Sequence, residues 1–74
     1  MEELRKMLQE KLPAIDFDRE THLMTDGILD SLAVVGIIAE IEERFDVGVT
    51  MEYIQPACFE SLETMWEMIE ELRA

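Results

Sequence analysis

The sequence predicts an all-α fold, a small four-helix bundle made of three main helices and one short one. Three observations predict it. Apolar residues recur at i, i+3, i+4, i+7 spacing in three separate stretches, and no stretch alternates with the period of a strand. The 74 residues are 49% hydrophobic, which supplies one modest core and sets the chain apart from disordered compositions. Residues 1–74 are therefore expected to form a single domain, with little stability margin because no disulfide or metal reinforces it.

Met1 to Leu12 reads as the first helix. Leu4, Leu8 and Leu12 share a face with Met7 and Met1 beside it, Glu2 and Glu3 suit a helix N-terminus, and Lys11 suits the C-terminal end. Pro13 ends it, because proline lacks the N–H and restricts the residue before it. From Ala14 to Asp30 the chain is polar and aperiodic, with Ile15, Phe17, Leu23, Met24, Ile28 and Leu29 as isolated apolar anchors. A loop of about 17 residues is long for a small domain, and such loops are usually functional.

Leu32 to Phe45 is the most hydrophobic helix. Val34, Ile37, Ile38, Ile41 and Phe45 form its core stripe. Leu32, Val35 and Ala39 lie off that stripe, beside Ser31 and edged by Glu42 and Glu43, and so predict a second, smaller apolar strip outside the core. Exposed apolar groups rimmed by charge suit a partner surface; the plain alternative is a helix buried on two sides. Asp46-Val47-Gly48-Val49 ends this helix with Gly48 as the flexible point, and Val47 and Val49 tuck toward the core. Thr50 to Ile54 allows one short helical turn capped by Thr50, which Pro56 then interrupts. The last helix runs from Leu62 to Arg73. Its stripe is Leu62, Met65, Ile69 and Leu72, bordered by Met68 and a half-buried Trp66, while Glu63, Glu67, Glu70 and Glu71 face solvent.

Six basic against eighteen acidic residues leave a formal charge of −12. That balance argues against nucleic acid and anionic membranes as partners and favours basic surfaces, although solubility alone explains much of it. Self-repulsion predicts that salt or divalent cations stabilise the fold, and a monomer is expected. Cys58 is the single cysteine, so no internal disulfide forms. Glu2 and Glu3 follow Met1 directly, which is no signal-peptide pattern, so a cytoplasmic location is expected. No apolar run is long enough to insert across a membrane.

No catalytic or metal-ligating residues are expected. His22 is the sole imidazole and has no orienting partner, and Cys58 has no neighbouring Lys, Arg or His to favour a thiolate. Asp16, Asp18, Glu20 and Asp26 fail the calcium-loop spacing, because Thr21 stands where glycine and Gly27 where glutamate would be needed. His22 and Cys58 alone make no zinc site.

The stretch that organises the chain is Asp26-Gly27-Ile28-Leu29-Asp30-Ser31-Leu32. The sequence has two serines, and both lie between an acid and a leucine: Asp30-Ser31-Leu32 and Glu60-Ser61-Leu62. Context separates them. Ser61 opens an ordinary amphipathic helix after a linker containing Pro56, so an N-cap role suffices. Ser31 follows Gly27, which lets the loop turn sharply, and stands at a helix start, where free N–H groups and the dipole favour a phosphate. Asp30 can itself be the cap, leaving the Ser31 hydroxyl free for modification; Ser31 as a second N-cap is the alternative.

That stretch, the helix ending Ile41-Glu42-Glu43-Arg44-Phe45-Asp46, then Val47 and Val49, and Phe59-Glu60-Ser61-Leu62 before a last helix, resemble the acyl carrier protein family, over Thr25 to Leu72. The resemblance implies that Ser31 carries 4'-phosphopantetheine through a phosphodiester and that the arm's thiol holds an acyl or aminoacyl group as a thioester. It implies a loop that crosses the bundle to deliver the serine to an exposed helix start. It implies a phosphopantetheinyl transferase that moves the arm from coenzyme A, and an acyl- or aminoacyl-loading enzyme and downstream transferases that dock through Asp30, Leu32, Val35, Ala39, Glu42 and Glu43. The chain is then no enzyme, because the cofactor and partner enzymes supply the chemistry.

The sequence also departs from carriers of fatty acid biosynthesis, which often place acids where Ala33 and Gly36 stand. Leu29-Asp30-Ser31, Phe45-Asp46-Val47 and the extended Tyr53 to Phe59 connection are similar to D-alanyl and other specialised carriers as well, so the cargo stays open. A mid-helix glycine costs about 1 kcal/mol relative to alanine, and close approach of a partner at Gly36 would account for it. Two other readings are a small acidic adaptor that binds a basic protein through Leu32, Val35 and Ala39 without an arm, and a helical bundle that sequesters a free lipid chain.

Overall fold

Two of the three α-helices begin where a side chain takes over a free backbone N–H group, and the first begins without one. The computed structural model describes all residues, Met1–Ala74. It contains α1 (Glu2–Lys11), α2 (Ser31–Phe45) and α3 (Leu62–Arg73), with 3-10 turns at Met51–Tyr53 and Pro56–Phe59 and no strand. Asp30 caps α2, its carboxylate accepting from Ala33 N at 2.8 Å. Ser61 caps α3 in a reciprocal box, accepting from Thr64 N at 3.1 Å while its own N–H donates to Thr64 Oγ1 at 3.0 Å.

The architecture is therefore all-α with three α-helices, and the short fourth helix is a single 3-10 turn. Thr50 does not cap that turn; its hydroxyl donates to Glu52 Oε1 at 3.1 Å instead. Helical structure is broken before Pro56, where Gln55 is extended, and Pro56 itself opens the second 3-10 turn, a position where its fixed φ is suitable and its missing N–H costs nothing. α2 ends at Asp46 in the left-handed conformation, φ 53°, and not at Gly48. Aspartate tolerates this region because its short polar side chain can bond locally.

Fourteen apolar residues form one core. α1 contributes Leu4, Met7 and Leu8, α2 contributes Val34, Ile37 and Ile41, and α3 contributes Leu62, Met65, Met68 and Ile69. Burying each such side chain contributes about 1.5–3 kcal/mol. Met68 belongs to the core and Leu72 to its margin, the reverse of the sequence expectation, because α3 packs against both α1 and the second 3-10 turn and buries a wider stripe. Ile38 and Phe45 are half-buried. Trp66 is half-buried as well, meeting Phe45 edge-on with ring centroids 5.9 Å apart and planes at 68°.

Gly36 faces inward. A Cβ there would stand 2.9 Å from Lys11 Cε and 3.2 Å from Nζ. The near neighbour at this position is the side-chain end of Lys11, at the end of α1. Arg44 adds a second tie between the two helices, pairing with Glu40 at 3.2 Å on α2 and with Glu10 at 3.9 Å on α1.

The long loop is held down by Phe17, Leu23 and Leu29, which are buried. Ile28 is 38% exposed and is no anchor, because the turn at Gly27 carries it outward. Arg5 ties α1 to the loop through Asp18 at 2.8 Å. His22 shares a hydrogen bond with Thr21 at 3.1 Å, and no three His, Cys, Asp or Glu side chains gather as a metal site. No helix is long and apolar enough to cross a membrane.

Candidate functional site

Ser31 is presented by a closed turn. Leu23 O accepts from Ile28 N at 2.9 Å and from Leu29 N at 3.0 Å, Met24 O from Gly27 N at 3.1 Å, and His22 O from Asp26 N at 2.8 Å. Gly27 closes the turn at φ +72°, a conformation glycine adopts without strain. Leu29 then plugs into the core at 2% exposure, which forces Asp30 and Ser31 out to the surface, where both are exposed.

At the helix start the two polar side chains divide the work. Asp30 satisfies the backbone of the first turn, so the Ser31 hydroxyl, on the first residue of α2, is free of that duty. No acidic residue follows in the first turn of α2, so the remaining N–H groups and the positive end of the helix dipole can accommodate a phosphodiester on Ser31. The serine thus suits 4'-phosphopantetheine by exposure, by local electrostatics and by the absence of a competing capping role.

Leu32 and Val35 are 83% and 64% exposed, and Ala39, Glu42 and Glu43 are exposed along the same helix. Leu32, Val35 and Ala39 follow i, i+3, i+7 spacing, and Glu43 lies about 18 Å along the axis from Ser31 at 1.5 Å per residue. Glu42 also has a folding role, accepting from Val49 N at 2.9 Å and so holding the turn that follows α2.

Sequence reasoning missed two features of the site. The first is an apolar groove of about 320 Å³ beside Ser31, between α2, the long loop and the two 3-10 turns. Its walls are Met24, Val34, Val35, Ile38, Ile54 and Phe59, with Gln55 and Pro56 at the rim, and no acidic residue lines it. Val35, from the apolar strip outside the core, and Ile38, from the core stripe, both line it, but nothing local shows that they face the loop and the 3-10 turns across a groove.

The second is Glu60, legible in the sequence only as the acid before Ser61. Its Oε1 accepts from Met24 N at 2.7 Å and Thr25 N at 3.0 Å, its Oε2 takes the Thr25 hydroxyl, and its backbone oxygen accepts from Leu23 N at 2.9 Å. The Thr25 hydroxyl and the Thr25 and Met24 N–H groups, with nearby His22, hold the Glu60 carboxyl below its ordinary pKa, against a smaller opposing effect of desolvation. No local pattern announces a contact between residues 35 positions apart.

Comparison with known proteins agrees with this geometry. The family described as phosphopantetheine attachment site matches residues 2–65. A protein of Caulobacter vibrioides (strain NA1000 / CB15N), named a probable acyl carrier protein, is 32% identical over 60 residues, covering 81% of this chain and 67% of that protein. No solved structure matches the chain. Domains of this family carry 4'-phosphopantetheine covalently, act as carriers and not as enzymes, and work with phosphopantetheinyl transferases and acyl-handling enzymes. The chain belongs to the acyl carrier protein family.

Proposed function

We propose that residues 1–74 form one carrier domain, that Ser31 is the attachment point of 4'-phosphopantetheine, and that the cargo is an acyl group. The observation that carries this reading is the exposed Ser31 hydroxyl at the start of α2, relieved of capping by Asp30. Bound there, the arm supplies a thiol that holds the cargo as a thioester.

The groove supports acyl over D-alanyl or other aminoacyl cargo. An α-ammonium group drawn into it would lose water without finding a counter-ion, because no lining residue is acidic, and an unpaired charge is costly to bury. An acyl chain loses nothing polar there.

The transferase and the loading enzymes dock on the outer face of α2 in this reading. Leu32, Val35 and Ala39 supply apolar contact, while Asp30, Glu42 and Glu43 attract basic side chains. A charge of −12 steers such partners and opposes self-association, which favours a monomer. The need for coenzyme A and the transferase favours the cytoplasm.

Intact mass after incubation with coenzyme A and a broad-specificity phosphopantetheinyl transferase tests the attachment. One phosphopantetheine is expected on the wild type and on Ser61→Ala, and none on Ser31→Ala. A folded wild type that gains no mass with several transferases would leave the acidic adaptor as the better reading. Cargo is tested on the modified protein by offering acyl-activating and D-alanyl-activating enzymes separately; preferential loading of D-alanine would overturn the acyl assignment.

A further inference from the structure

Glu60 joins two parts of the site. It sits between the second 3-10 turn and α3 and receives four hydrogen bonds from three successive loop residues, three on its carboxylate and one on its backbone oxygen. Those residues, Leu23 to Thr25, open the closed turn that ends at Leu29 and delivers Ser31. Met24 is also one wall of the groove, and Phe59, the residue before Glu60, is another. A single carboxylate therefore governs both the approach of the loop to Ser31 and the spacing of two groove walls.

Its partners are neutral donors and not cations, unlike those of Asp18 or Glu40, which pair with arginines. A solvated surface acid would need none of them. Hydrogen bonds to a carboxylate are stronger than those between neutral groups, and the acceptor here is shared by two backbone amides that lie outside any helix.

We propose that Glu60 is a positioning residue of the carrier site: it holds Met24 and Thr25 so that Ser31 is presented in one orientation and the groove keeps one width. The assignment rests on Ser31 as the attachment point. Without the carboxylate the loop samples other arrangements, and a transferase that binds only the competent one sees its affinity reduced by the competent fraction. KM rises, and kcat for the docked complex changes little.

The test compares wild type, Glu60→Ala, Glu60→Gln and Thr25→Val by thermal melting, by methyl NMR of Val34, Val35, Ile38 and Ile54, and by KM and kcat of phosphopantetheine transfer to Ser31. Glu60→Ala is expected to stay folded at 25 °C, to move the groove methyl resonances, and to raise KM about five- to tenfold with kcat within about twofold. Glu60→Gln is expected to restore wild-type KM, because its amide oxygen can accept both backbone N–H groups and its Nε2 can donate to the Thr25 hydroxyl.

Mere stapling of the fold would lower the melting temperature and leave KM alone, since nearly all the protein remains folded in the assay. An unchanged KM in Glu60→Ala, unmoved groove methyls, or Glu60→Gln as impaired as Glu60→Ala would each overturn the proposal. If Glu60→Ala fails to fold, Thr25→Val, which removes only the hydroxyl contact, should raise KM about twofold, and no rise would overturn it. Should the wild type take no arm at Ser31, the reading of Ser31 fails, and the methyl spectra then decide the role of Glu60 by themselves.

Discussion

The two serines stand in the same local sequence, each between an acid and a leucine at the start of a helix, yet the structure assigns their side chains opposite duties. At α2 the acid caps and the serine is free; at α3 the serine caps and the acid reaches across the molecule. Ser61 is 9% exposed and locked in its box with Thr64, while Ser31 is exposed at the surface. A hydroxyl engaged with its own helix is a poor target for a transferase. What distinguishes a modifiable serine here is which neighbour performs the capping.

The largest way to break that comparison is Ser31→Ala. All phosphopantetheine incorporation should vanish in intact mass, while urea unfolding shifts by no more than about 0.5 kcal/mol, as expected for a surface change. Ser61→Ala should behave in the opposite way, costing about 1–2 kcal/mol in urea denaturation through the lost cap and keeping the modification. Loss of modification in Ser61→Ala with the fold intact would erase the distinction between the two sites.

Asp30→Ala should cost about 1 kcal/mol by the same measurement, and Asp30→Asn much less, because asparagine caps nearly as well. Equal losses in the two variants would mean that the carboxylate acts through charge and not as a cap. The two helices also differ in their middles, since α2 contains Gly36 and α3 has no glycine. Gly36→Ala should stabilise the protein by up to about 1 kcal/mol, because the obstacle to a Cβ is the far end of the flexible Lys11 side chain. A net loss would show that Lys11 cannot move.

The smallest expected effect is the pH dependence of the Glu60 contribution. The Glu60 carboxyl is held below its ordinary pKa in the folded state. Its contribution is therefore present above the unfolded carboxylate value and is lost as pH falls through the folded one. Urea midpoints of the wild type and Glu60→Gln should converge as pH is lowered from about 5 toward 3. A difference that stays constant over that window would place the Glu60 contribution outside its ionisation.

Much of the fold was legible because its signals are local. Ser61 announced the start of α3, and the stripe Leu62, Met65 and Ile69 gave its inward face. Pro56 marks the break after the first 3-10 turn, but that it also opens a second turn is not legible, because a proline's effect depends on its position within a turn, which its neighbours do not specify. The neighbour of Gly36 is not legible, because the sequence does not show that the end of α1 lies against it. At the site, the exposure of Ser31 followed from Gly27 and the capping aspartate. The groove and the Glu60 contacts did not, because each exists only where the loop, α2 and the second 3-10 turn converge.

The edge-on pairing of Trp66 with Phe45 has a practical consequence. Phe45 is the last residue of the helix whose first residue is Ser31, so about 21 Å of helix separates the indole from the serine at 1.5 Å per residue. The protein's single tryptophan is thereby an optical gauge of whether α2 is docked on α3, placed far enough from the reactive end that loading and unloading of the arm should leave its emission unchanged. Fluorescence can follow unfolding of the apo, modified and acylated forms on one common scale.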